Sequence, residues 1–112
     1  MSLFSWLNPN RKEIDTLVEE AAGVPGSVVV DVRTPEEYKA GHIPGSVNVP
    51  LDRLDGIRAV ADPKTPLYVY CRSGARSASA TGMLRRSGYE NVTDMVGILS
   101  WKGRVVTGGK AG

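Results

Sequence analysis

The apolar positions of this chain change period along its length, and the changes divide it into alternating elements. Ile14, Leu17, Val18, Ala21 and Ala22 recur at helical spacing. Asn10 is placed to cap that helix with Glu13 three residues on, and Gly23 and Pro25-Gly26 end it. Val28-Val29-Val30 is then an unbroken β-branched run that reads as a buried strand ending at Asp31. Thr34-Pro35-Glu36-Glu37 starts a second, short helix: Thr34 as N-cap, Pro35 as its first residue and Glu37 closing a capping box. Gly41 interrupts it, and His42-Ile43-Pro44-Gly45 is turn-like.

Val47-Asn48-Val49 reads as a short strand. Leu51 to Ala61 reads as a helix, with Leu51, Leu54, Ile57 and Val60-Ala61 apolar. Leu67-Tyr68-Val69-Tyr70 is the second unbroken apolar run. A helix from Arg76 to Ser87, a strand over Val92 to Val96, a helical turn from Ile98 to Trp101 and an edge segment at Val105-Val106 follow. Strands alternating with helices imply an α/β fold in three layers, a central parallel sheet flanked by helices on both faces. In such sheets ligands bind beyond the carboxyl ends of the strands, where Asp31 and Cys71 both fall.

Composition adds bounds. The chain has 112 residues, 41% hydrophobic and 23% charged, as in an ordinary soluble domain. The expected division is an N-terminal extension over 1–9, one domain over 10–107 and a frayed tail over 108–112. A formal net charge of +2 does not call for nucleic acid or a membrane surface as partner. The start of the chain is apolar at Phe4, Trp6 and Leu7 but short and without a basic flank, so it does not read as a secretory signal. It is expected to pack on the domain or to dock a partner. A single cysteine rules out an intramolecular disulfide and points to a reducing, cytoplasmic location. No metal or organic cofactor is expected.

That cysteine carries the chemistry. Cys71 ends the apolar strand, and Arg72-Ser73-Gly74-Ala75-Arg76-Ser77 turns the chain into a helix. Helix N-termini and successive backbone N–H groups bind anions and favour a thiolate. Gly74 allows positive φ or close approach to a ligand. The arginines at 72 and 76 suit a small anionic substrate, whereas Arg85 and Arg86 read as a solvated helix face. The single histidine, His42, lies in a separate loop and reads as part of the turn before Pro44, not as a base for Cys71.

These residues resemble the rhodanese family, in particular its small single-domain thiosulfate sulfurtransferases. Three segments carry the resemblance: Asp31-Val32-Arg33-Thr34-Pro35-Glu36-Glu37-Tyr38 with Gly41-His42-Ile43-Pro44-Gly45-Ser46-Val47-Asn48; Tyr70 to Ser77; and Gly97-Ile98-Leu99-Ser100-Trp101. The resemblance implies that Cys71 holds a persulfide. Arg72, Ser73, Gly74, Ala75, Arg76 and Ser77 would form the substrate cradle, mostly through backbone N–H groups, with the two arginine side chains on the anionic donor. Asp31 and Arg33 would lie near the site, Arg33 paired with a carboxylate, and Trp101 would belong to the core.

The chain departs from the family pattern in places. Val96 stands where the first of two glycines is usual, Ser46 stands where alanine is usual, and the part after Trp101 is short.

Rhodanese-like phosphatases and arsenate reductases carry one more residue between cysteine and arginine, which widens the cradle for a tetrahedral oxyanion. The four residues Arg72 to Ala75 suit a single sulfur instead, and no Asp or Glu follows in Ser77 to Ser87 to act as general acid. The expected reaction moves a sulfane sulfur from thiosulfate to cyanide or a thiol. The alternative is a persulfide carrier that delivers sulfur to a partner protein.

Overall fold

The computed structural model describes residues 12–109. Helix α1 covers Ile14–Gly23, β1 Val28–Asp31, α2 Pro35–Ala40 and β2 Val47–Asn48; β3 covers Leu67–Cys71, α3 Ala75–Arg86 and β4 Val92–Gly97. Two 3₁₀ segments, Leu51–Ala59 and Ile98–Ser100, complete the order. The four strands form one sheet in the order β2-β1-β3-β4, every neighbouring pair parallel. The carboxyl ends Asn48, Asp31, Cys71 and Gly97 therefore share one edge of the sheet.

Strand β3 runs through the middle and is buried along its whole length, so its alternating side chains feed two cores. Leu67, Val69 and Cys71 face α3 and the first 3₁₀ segment, among Val30, Leu54, Ile57, Ala80 and Leu84. Tyr68 and Tyr70 face α1, among Ile14, Leu17, Ala21, Ile43 and Met95. The Tyr68 hydroxyl donates to Glu20 Oε2 at 2.8 Å, which fastens α1 to the sheet. Ala80 is fully buried, so the small-residue face of α3 lies close against the sheet beneath the cysteine loop.

The capping box of α2 forms: Glu37 N–H donates to Thr34 Oγ1 at 3.2 Å, and Thr34 N–H donates to Glu37 Oε1 at 3.1 Å. The Asn10 cap expected for α1, and the apolar residues Phe4, Trp6 and Leu7, lie outside the described residues; α1 starts at Ile14 with Glu13 as its N-cap residue. In the expected tail, Gly108 N–H donates to Lys39 O at 2.7 Å.

The segment expected as a helix over Leu51 to Ala61 is 3₁₀ over Leu51–Ala59, with a break at Arg53 (φ −134°, ψ 40°). The reason lies in its spacing. Leu51, Leu54, Ile57 and Val60 recur every third residue, and all four pack on one core. A three-residue turn aligns them on one face; the α-helical turn would rotate them apart.

Candidate active site

The Cys71 loop is built from the end of β3 and the start of α3. Gly74, at φ +122°, is the N-cap residue of α3, a conformation in which a side chain is strained. The turn brings Gly74 N–H onto Cys71 Sγ at 3.0 Å, so the sulfur accepts a backbone hydrogen bond. The first amides of α3, from Ala75 on, have no carbonyl partner within the helix and carry its positive dipole end. Cys71 is only 1% exposed and forms the floor of the loop, whereas Arg72, Ser73 and Ala75 are exposed on its rim.

The neighbouring strand closes in on this floor. A Cβ on Gly97 would meet Arg72 O at 2.2 Å, so only glycine lets β4 pass this close to the loop. Leu99 N–H donates to Arg72 O at 3.2 Å from the same side. Val96 O lies 3.5 Å from Cys71 Sγ, in reach of the thiol hydrogen, and accepts from Ser77 Oγ at 3.1 Å. Ser77 was expected among the substrate-binding residues. The structure instead buries it completely and commits its hydroxyl to Gly74 O (3.1 Å) and Val96 O, so its side chain braces the loop.

Arg76 is likewise differently engaged from the expectation. Its guanidinium is bidentate on Glu37, with Nη1 to Oε1 at 2.6 Å and Nη2 to Oε2 at 3.0 Å. Both side chains remain partly exposed, at 34% and 29%. The hydrogen bonds from Arg76, aided by Thr34 N–H, hold the Glu37 carboxyl at about 2, below its usual 4.5. A donor anion at the loop therefore meets Arg76 with its charge already neutralised. Glu37 is a site residue that sequence reasoning missed, because its local role in the capping box accounted for it.

Asp31 and Arg33 form a second pair, deep behind the loop. Arg33 Nη2 donates to Asp31 Oδ2 at 2.6 Å and to Gly41 O at 2.7 Å, and Arg33 N–H donates to Asp31 Oδ1 at 2.9 Å. Asn48 Nδ2 donates to the carbonyls of both, each at 2.9 Å. The Arg33 guanidinium lies 5.7 Å from the centre of the Tyr70 ring. Burial pushes the Tyr70 hydroxyl up, so it stays neutral while accepting from Ile43 N–H at 3.1 Å and sharing a hydrogen bond with Ser46 Oγ at 3.0 Å. With Arg33 buried this way, it fixes the floor of the site and is closed to substrate.

His42 stacks on Tyr38 with ring centres 3.7 Å apart, and its Nδ1 hydrogen-bonds Tyr38 O at 2.8 Å. His42 and Val106 also form an isolated antiparallel bridge, which is where the expected edge segment goes. The ring is thus part of the scaffold.

The remaining residue that sequence reasoning underread is Val96. Pairing with β3 jumps from Val69↔Asp94 to Tyr70↔Val96, leaving Met95 as an extra residue in a β-bulge. Asp94 Oδ1 accepts from Val96 N–H at 2.8 Å and holds the bulge. The usual two glycines were the signal, and valine in the first place marks where this chain departs from them.

The model of the Rhodanese-like domain matches residues 11–103. The chain is 36% identical over 94 residues to a sulfurtransferase of Allochromatium vinosum, covering 82% of this chain and 87% of that protein. It is 37% identical over 94 residues to the adenylyltransferase and sulfurtransferase uba4 of Ogataea parapolymorpha, covering 83% of this chain but only 24% of that longer protein. The solved structure of a rhodanese with anions from E. coli superposes with a TM-score of 0.67 at 33% identity, over 73% of this chain and 99% of the other. No helix among the described residues is long and apolar enough to cross a membrane.

Proposed function

The chain belongs to the rhodanese-like domain family, and on that premise we propose that it is a thiosulfate sulfurtransferase working through a persulfide on Cys71. The observation that carries this reading is the Gly74 N–H on Cys71 Sγ at 3.0 Å, at the floor of a loop with four residues between cysteine and arginine. A donor so placed, with the N-terminus of α3 behind it, stabilises negative charge on sulfur and on a sulfur bonded to it.

In the first step the Cys71 thiolate attacks the outer sulfur of thiosulfate. The S–S bond of the donor breaks, sulfite leaves with the electron pair, and Cys71 persulfide remains. In the second step cyanide attacks the outer sulfur, the pair returns to Cys71 Sγ, and thiocyanate departs; a thiol acceptor leaves as its persulfide. Neither step needs a base if sulfur enters as thiolate, in keeping with the commitment of His42 to Tyr38.

The dianionic charge of thiosulfate suits a rim bearing Arg72 beside the N-terminus of α3. The likeness to one part of a longer adenylyltransferase and sulfurtransferase supports a protein acceptor as a second reading, with the same chemistry on Cys71. A lone free thiol supports a reducing compartment such as the cytoplasm.

Initial rates of thiocyanate release, with thiosulfate and cyanide both varied, test the reading. The two half-reactions require parallel double-reciprocal lines. Converging lines, or hydrolysis of a phosphotyrosine analogue without sulfur transfer, contradict it.

A further inference from the structure

Among the described residues Val96 is the one non-glycine residue at positive φ, +73°. A β-branched residue there is strained, and such strain persists only where surrounding contacts hold it. The contacts are on both sides of the residue: Asp94 Oδ1 on Val96 N–H at 2.8 Å, and Ser77 Oγ on Val96 O at 3.1 Å. Glycine would adopt the same backbone at lower cost. The backbone therefore does not account for valine, and the side chain must.

That side chain is partly exposed and stands against the cysteine loop. Its Cγ1 lies 2.8 Å from where a Cβ on Gly74 would be, so the isopropyl group packs on the bare Cα of Gly74. Gly74 is the residue whose N–H reaches Cys71 Sγ. The isopropyl group thus borders the residue that touches the sulfur, on the Gly74 side of the loop.

We propose that Val96 is a specificity-determining residue whose isopropyl group narrows the approach to the Cys71 persulfide, admitting slender acceptors and excluding thiols with bulk beside their sulfur. The inference rests on the sulfur-transfer reading and deepens it by naming the acceptor class. In the step concerned, an acceptor thiolate attacks the outer sulfur of Cys71 persulfide. The Cys71 S–S bond breaks, the electron pair returns to Cys71 Sγ, and the acceptor leaves as its own persulfide. The carbon next to the attacking sulfur is then the nearest part of the acceptor to the loop.

Cysteine and penicillamine differ by two methyl groups on that carbon, and their rate ratio is the readout. The ratio of kcat/KM for cysteine over penicillamine is measured for wild type, Val96→Ala and Val96→Gly, using protein preloaded with thiosulfate and checked by intact mass. The ratio is expected to fall by about tenfold in both variants, the scale on which a methyl-sized clash discriminates. The alanine variant keeps the strained backbone, and the glycine variant relieves it; a shared fall assigns the effect to the side chain.

A ratio unchanged in the variants, with all three proteins loaded, overturns the assignment of Val96 and leaves sulfur transfer standing. Loading lost in both variants but not in wild type also overturns it, since a residue that only narrows the approach is not needed for sulfur uptake. Wild type that gains no sulfur refutes the sulfur-transfer reading itself and the inference with it.

Discussion

Two arginine–carboxylate pairs flank the cysteine loop, and the same chemistry does different work in each. Arg33–Asp31 is sealed, its side chains 7% and 0% exposed, and Gly41 O and the Asn48 amide surround it with further hydrogen bonds. Arg76–Glu37 is open, at 34% and 29%, and spans two helices. A sealed pair is expensive to break because the survivor keeps an uncompensated buried charge. An open pair is worth little to stability but can exchange partners with a passing anion. Burial thus makes the first arginine part of the scaffold and leaves the second within reach of solvent.

The largest consequence falls on the sealed pair. Asp31→Asn should destabilise the fold by about 3–5 kcal/mol, because Arg33 stays buried without its carboxylate. Urea unfolding at neutral pH checks it. A loss no greater than that of Glu37→Gln would erase the distinction between the pairs.

A smaller effect is expected at the open pair. Glutamine can keep the cap of α2, so Glu37→Gln removes the charge and little else. Stability should fall by about 1 kcal/mol at neutral pH, discounted for solvent screening. The KM for thiosulfate should also fall, by about threefold, as Arg76 regains its net charge toward the donor. Arg76→Ala should raise that KM, in the opposite direction.

The acid dependence has a definite sign. Glu37 sits at about 2 in the fold against an ordinary 4.5. Its stabilising contribution is therefore complete above the ordinary value and is lost as pH falls through that window. Urea midpoints of wild type and Glu37→Gln should converge as pH is lowered from 6 to 3. A gap that widens in acid would contradict the pairing.

The comparison also marks what the sequence could show. Arg33 and Asp31 are two residues apart, so their pairing is a local matter, and the Thr34-Pro35-Glu37 cap is local too. The unbroken apolar run of β3 and the turn after Cys71 placed the loop at a strand end for the same reason. Arg76 and Glu37 are 39 positions apart and meet only because α2 and α3 converge at one edge of the sheet. No local rule joins them, and Glu37 already had an explanation.

Leu51, Leu54, Ile57 and Val60 did carry their 3₁₀ period in plain view, as a spacing of three where an α-helix also uses four. At Val96 the missing glycine was legible. Its strained φ was not, because that depends on the register slip between β3 and β4.

The central claim is that Cys71 carries the sulfur, and intact mass spectrometry addresses it most directly. After incubation with thiosulfate and removal of excess, wild-type protein should gain the mass of one sulfur atom, and cyanide should remove it with release of thiocyanate. Cys71→Ser, treated alike, should gain nothing. Sulfur uptake by the serine variant, or none by wild type, would contradict the account.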